Sequence, residues 1–168
     1  MRAIGKGSLA SILAMGLNII RIVLWLGFIG LSIAVVVIPF VSVIAGMFQG
    51  FDGGDALVDG ADYIQLAYQF VSLGVMLFVV TRLLEVLKTL RFGSPFVKEN
   101  ADRFRTVGYA LLIGEGAKIA FGLLSLITSA DIEIDTQPIT WLAIITVFVL
   151  AEVFHEGARM KEEQDLTV

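Results

Sequence analysis

Two side chains of opposite charge, Glu115 and Lys118, stand out within an otherwise apolar stretch. A charge inside a hydrocarbon layer is costly, so it usually faces the interior of a helix bundle and often marks an ion or proton path. A spacing of three residues also places both side chains on one face of a helix, where they can pair and fix helix packing. We therefore consider two interpretations of this intramembrane polar pair, a transport site and a structural ion pair.

A second pair of residues that could take part in catalysis is Glu152 and His155, which lie one helical turn apart. General acid–base catalysis would also require a nucleophile and a water-filled pocket, which the sequence does not indicate. The chain has no cysteine and a single histidine, which argues against a thiolate or histidine-rich metal centre. We expect a side-chain contact at the membrane interface here, and no enzymatic activity, cofactor or metal.

The composition is that of an integral membrane protein. Of the 168 residues, 57% are hydrophobic and 17% are charged, and the mean hydropathy is +0.88. A soluble domain of this size would carry more charge and less apolar surface. Within this chain, the distribution of charge among the loops is more informative than the net charge.

Four apolar stretches are each long enough to cross a hydrocarbon core of about 30 Å. They predict an all-α polytopic membrane protein, a four-helix transmembrane bundle that forms a single domain over residues 1–168, with helices extending into the cytoplasm. The predicted spans are about 22–44, 63–81, 107–128 and 138–154.

The segment 82–106 is predicted to be a helical hairpin between the second and third spans. Gly93 is typical of the residue that ends a helix, and Ser94 followed by Pro95 is typical of an N-cap and a first helical residue. We therefore expect one helix to stop at Gly93 and the next to start at Pro95. A charged tail, 155–168, follows the fourth span.

The orientation follows from counting basic residues. Residues 82–105 hold six, namely Arg82, Lys88, Arg91, Lys98, Arg103 and Arg105, whereas 46–62 and 129–138 hold none. The positive-inside rule then places the hairpin in the cytoplasm. With four spans, both termini are also cytoplasmic, and we expect a multi-pass protein of the cell (inner) membrane.

The segments GSPFVKENADRFRTVGYALL and LAEVFHEGARMKEEQDLTV resemble the bacterial membrane family called domain of unknown function 2975. The likeness extends over nearly the whole chain and is strongest in the hairpin and the tail. The resemblance implies a four-span protein with no established activity. Its members are often encoded beside a small helix-turn-helix regulator of the Cro/CI type, which implies by association a cytoplasmic regulator as partner.

We therefore expect a non-enzymatic membrane protein that binds or restrains a helix-turn-helix transcription regulator through its basic hairpin and acidic tail. Its partners would be the lipid bilayer and this regulator, with no direct nucleic-acid binding, and self-association into a homo-oligomer stays open. The alternative is a small oligomeric transporter or channel component that uses Glu115 and Lys118. The predicted partner-binding residues are Gly93, Pro95, Phe96, Glu99, Asn100, Arg103, Arg105, Glu162, Glu163 and Asp165.

Two other roles for these residues remain open. Phe96 and Phe104 would pack against membrane-proximal helices while Arg103 and Arg105 meet anionic headgroups, each such contact contributing about 1 kcal/mol. The basic hairpin and the acidic tail would also fit a clasp. Such a clasp would join Arg103 or Arg105 to Glu162 or Glu163, and an exposed pair of this kind contributes about 0.2–1 kcal/mol.

Overall fold

The computed structural model describes residues 9–48, 60–92, 95–128, 130, 132 and 135–166. All regular secondary structure in these residues is helical, and each of the four helices is long and apolar enough to cross a membrane. The predicted all-α fold with four spans is confirmed. The helices are α1 (Leu9–Phe48), α2 (Gly60–Phe92), α3 (Lys98–Thr128) and α4 (Pro138–Asp165).

Large apolar side chains cover the outside of the helices. Ile127 is 81% exposed and Leu126 is 76% exposed, and similar side chains lie exposed along all four helices. A continuous apolar surface of this extent would associate in water but is matched by lipid chains. Each helix begins or ends beyond its predicted apolar span, and α4 continues past the fourth span as far as Asp165.

The four helices pack as an antiparallel row in chain order. Phe28 of α1 meets Phe70 of α2 with ring centroids 4.6 Å apart, and Tyr68 of α2 meets Phe121 of α3 at 5.8 Å. Tyr109 of α3 then meets the ring of Phe148 of α4 at 5.3 Å. Within the described ranges, no Cα of α1 lies within 8 Å of α3 or α4. The bundle is therefore open between its first and last helices.

The turn between α2 and α3 differs from the prediction. Gly93 and Ser94, the predicted helix stop and N-cap, lie outside the described residues, but α3 begins at Lys98 and not at Pro95. The Pro95 carbonyl accepts a hydrogen bond from the Val97 N–H (3.2 Å). It also accepts one from the side-chain amide of Asn100 (2.9 Å), and these two bonds hold 95–97 in a turn ahead of the helix.

The connection between α3 and α4 turns back along α3. α4 starts at Pro138, as predicted, after an extended Gln137 with φ −88° and ψ 136°. Before that start, the Lys118 ammonium donates to the Asp135 carbonyl (2.9 Å), so the beginning of α4 lies beside Lys118. α3 continues for about another 15 Å to Thr128. Ala130 and Ile132 of the returning connection are buried, and the Ser125 hydroxyl donates to the Ile132 carbonyl (3.3 Å).

Candidate functional site: the hairpin cluster and the intramembrane polar pair

Asn100 is the centre of a buried hydrogen-bond cluster that joins α2 to α3. Its side chain is fully buried, at 0% exposure. Its Oδ1 accepts from the Thr89 hydroxyl (2.7 Å) and from the Arg103 guanidinium (2.9 Å), and its Nδ2 donates to the Pro95 carbonyl (2.9 Å). Because donor and acceptor atoms are both paired, this buried amide fixes the hairpin without leaving an unmatched polar group.

Glu85 extends the cluster towards the surface of α2. Its Oε2 lies 3.0 Å from Arg82 Nη1 and 3.3 Å from Arg103 Nε. Arg82 also stacks over the ring of Phe78, 5.0 Å from its centroid. We call the connected set the hairpin cluster. It consists of Arg82, Glu85, Thr89, Pro95, Asn100 and Arg103.

Phe96 packs the hairpin against α4. Its ring lies 5.6 Å from that of Phe154, and Phe104 meets Phe154 at 5.0 Å. Gly157 lies directly under Phe96, since a Cβ at this position would overlap the Phe96 ring. The approach depends on the absence of a side chain at Gly157. It brings the hairpin and the C-terminal half of α4 to the same end of the fold.

The ion pairs on this side of the molecule differ from the expected clasp. Arg103 pairs with Glu85, and Arg105 pairs with Glu152 of α4 at 3.6 Å. The Arg159 guanidinium lies 3.6 Å from Glu163, within α4. Arg103, Arg105 and Glu163 thus have partners other than those of the clasp, and α4 continues as a helix to Asp165.

The predicted partner-binding residues separate into two groups in the structure. Pro95, Asn100 and Arg103 belong to the hairpin cluster, with Phe96 beside them against α4. Other residues are exposed or half-buried on helix surfaces near this end, and Gly93 lies outside the described residues. This second group comprises Glu99, Arg105, Glu162, Glu163 and Asp165.

The intramembrane polar pair forms as an ion pair. Lys118 Nζ lies 3.0 Å from Glu115 Oε1 and donates to the Asp135 carbonyl. The Glu115 side chain is 9% exposed and that of Lys118 is 23% exposed. Glu115 Oε2 is buried without a hydrogen-bond partner in the part of the chain that is described. The pair is thus connected to the α3–α4 connection and is only partly satisfied.

A cavity of about 200 Å³ adjoins this pair, between α2, α3 and the start of α4. Tyr68 and Ser72 contribute hydroxyl groups from α2, and Thr140 contributes one from α4. Apolar side chains form the rest of the wall, and they include Val71, Val75, Met76 and Leu111. The arrangement can accommodate a small solute that is partly polar and partly apolar.

Sequence reasoning missed the partners that complete both sites. Glu85, Thr89 and Asp135 were not predicted as site residues. Antiparallel pairing about the hairpin could have located the first two, since it places Thr89 opposite Asn100 and Glu85 opposite Arg103. No pattern in the sequence signals that the backbone carbonyl of Asp135 accepts from Lys118.

Residues 47–168 match the family described as "Protein of unknown function (DUF2975)". The chain belongs to this family. The match covers α2, α3 and α4 and only the last two residues of α1, so the expectation of likeness over nearly the whole chain was too wide. Both the hairpin cluster and the polar pair of this DUF2975 protein lie inside the matched region. No curated protein and no solved structure matches the sequence significantly.

Proposed function

We propose that this DUF2975 protein is a non-enzymatic membrane protein that binds or restrains a cytoplasmic helix-turn-helix regulator. The observation that supports the proposal is that the Phe96 ring packs directly on Gly157, which places the hairpin and the C-terminal part of α4 side by side. Two segments that are far apart in sequence thereby form one surface. Their polar character suits a soluble partner better than lipid chains.

Within this surface, we assign different roles to buried and exposed residues. Asn100 and Arg103 are positioning residues, because their side chains are engaged inside the hairpin cluster. The contact residues are Glu99 and the acidic positions on the last turns of α4, which are exposed. Binding through exposed charges depends on complementary charge and weakens as salt rises.

The test is co-purification of the tagged protein from its native host in mild detergent. The parent is expected to recover a soluble helix-turn-helix regulator, with recovery falling as salt rises. Recovery of no such regulator at any expression level would contradict the proposal.

A charge-reversed tail provides the matched variant, with Glu162, Glu163 and Asp165 each changed to Lys. It should lose the regulator while keeping its amount in the membrane. The control carries Thr136→Lys and Gln137→Lys, two exposed positions at the opposite end of the fold. Equal recovery by the tail variant and this control would remove the tail from the binding surface.

Transport is the second candidate function, and the cavity beside Glu115 favours it. Lys118→Met should then abolish a proton flux measured with a pH-sensitive dye in reconstituted vesicles. If the protein instead binds a regulator, we expect no flux from the parent or from Lys118→Met. A flux in the parent that is lost in Lys118→Met would favour transport.

A further inference from the structure

The cavity beside the polar pair contains several hydrogen-bonding groups that the described part of the protein does not pair. Glu115 Oε2 is buried without a partner. Within the described ranges, the hydroxyls of Tyr68, Ser72 and Thr140 form no hydrogen bond through their oxygen atoms. All four oxygens can accept a hydrogen bond, and a buried polar group without a partner is unfavourable.

The charged groups that line this cavity are one carboxylate and one ammonium. Lys118 already donates to Glu115 Oε1 and to the Asp135 carbonyl, which leaves Glu115 Oε2 as a charged acceptor without a donor in the described residues. The sequence of residues 46–62 and 129–138 contains no Lys or Arg and several acidic residues. An excess of negative charge in these segments attracts cations.

We propose that the cavity binds a small primary amine in its ammonium form. The ammonium would donate its N–H groups to Glu115 Oε2 and to neighbouring hydroxyls, and its short alkyl body would lie against Val71, Val75 and Met76. This ligand brings N–H donors to the unpaired Glu115 Oε2, and hydrogen bonds between charged groups are the stronger ones.

Other ligand classes fit the cavity less well. An anion would meet the buried Oε2 of Glu115 while the Lys118 ammonium is already engaged. A calcium ion takes six to eight oxygen ligands, whereas Glu115 is the single carboxylate among the residues that line the cavity. The inference concerns a site that lies away from the hairpin cluster and does not depend on the proposed regulator.

The test is isothermal titration of the full-length protein in detergent with n-butylammonium chloride. We expect saturable binding with one site per chain. The comparison ligands are 1-butanol, which has the same size without the charge, and sodium chloride at matched ionic strength. Saturable binding that either of these reproduces would overturn the proposal, as would no saturable binding of n-butylammonium, the result expected if the cavity holds water only.

Glu115→Gln preserves the shape of the side chain and removes its charge. It should weaken n-butylammonium binding at least about tenfold, since a hydrogen bond to a charged group is involved. Glu156→Gln is the control, because that carboxylate lies on the C-terminal half of α4 beside Arg159. Unchanged binding by the Glu115 variant would overturn the proposal.

Ser72→Leu tests the same site without altering a charge. The larger side chain should fill the cavity and abolish the binding heat, and Ser72 has no described partner to leave unpaired. Ser32→Leu on α1 is the matched control and should bind like the parent. Undiminished binding by a folded Ser72→Leu protein would place the amine elsewhere and overturn the proposal.

Discussion

Two polar clusters lie along the seam between α2 and α3, separated by about 22 Å of helix. Around Asn100, the amide oxygen and nitrogen both have partners, and the adjoining Glu85 pairs with two arginines. Around Glu115, one carboxylate oxygen is paired and the other is buried without a partner beside a cavity. The two clusters have similar chemistry but differ in how completely they are satisfied.

This difference suggests different roles. A fully paired buried network rigidifies the backbone that carries it, so the hairpin cluster positions the residues around it. A partly paired cluster next to free volume is a place where a ligand adds hydrogen bonds that the protein lacks. Under the two proposals, the hairpin cluster supports the regulator-binding surface, and the polar pair is part of the amine site.

The largest expected effect is the loss of the Asn100 amide. Asn100→Leu removes one acceptor from the Thr89 hydroxyl and one from the Arg103 guanidinium, and it removes one of the two donors to the Pro95 carbonyl. The loss of these three hydrogen bonds should lower the free energy of unfolding by about 3 kcal/mol. The measurement is unfolding in mixed micelles. Asp102→Asn, an exposed position on the same turn, should change stability by less than about 0.5 kcal/mol. Parent-like stability of Asn100→Leu would mean that this cluster is not a scaffold.

The effect of Glu115→Leu on stability should depend on whether Lys118 is still present. Glu115→Leu leaves Lys118 with the Asp135 carbonyl alone and should cost about 2–3 kcal/mol, less than for a fully buried pair because Lys118 is partly exposed. Adding Lys118→Met removes the unpaired charge and should restore most of the stability in the same unfolding assay.

The double variant also separates the two interpretations of the pair. A structural ion pair predicts that it keeps the regulator-binding activity of the parent. A transport site predicts a stable protein without flux. Equal stability of parent, single and double variants would show that Glu115 and Lys118 are hydrated, which would remove the contrast with the hairpin cluster.

Gly157→Ala tests how closely the hairpin packs on α4. The added methyl group overlaps the Phe96 ring, and overpacking should exceed the gain in helix propensity, with a net cost of about 1–2 kcal/mol. The measurement is the midpoint of thermal unfolding in detergent. Gly16→Ala is the control, since nothing lies within 4 Å of its added Cβ. If both variants stabilise the protein equally, Phe96 is not held against Gly157.

The smallest expected effect is at the ion pair between Arg105 and Glu152, whose side chains are 43% and 62% exposed. Reversing either charge should lower the free energy of unfolding by at most about 1 kcal/mol, and exchanging the two residues should restore it. Thermal unfolding at low and high salt measures this. A cost above that of Gly157→Ala would show that this ion pair contributes more to the packing of α4 than the contact between Phe96 and Gly157.

The four helices were predictable because the length of an apolar stretch can be read directly from the sequence. Each helix contains one of the four predicted spans, and the start of α4 at Pro138 agreed with the pattern. The start of α3 was wrong because Pro95 has the backbone preference of a first helical residue, yet its carbonyl is bound by Asn100 and its neighbour Phe96 packs on Gly157. These two contacts are tertiary, and local preference does not contain them.

The site was less predictable than the fold. The spacing of Glu115 and Lys118 predicted their ion pair, which the structure contains. Asn100 and Arg103 were predicted as surface residues because polar side chains near a hairpin are usually solvated. Their burial depends on which residues of α2 face them. The cavity depends on three helices together, so no single segment of the sequence signals it.

The row of helices in chain order bears on how the protein is made. Each helix contacts only the helix before it and the helix after it in the described residues. The contact between two neighbouring helices can therefore form as soon as the second of them has entered the membrane. In the described residues, no helix packs on one that is not its neighbour in the chain. We expect insertion and packing to proceed together along the nascent chain. α1 contacts only α2 in the described residues and lies largely outside the family match, so we expect substitutions on its other faces to leave the packing of the later helices unchanged.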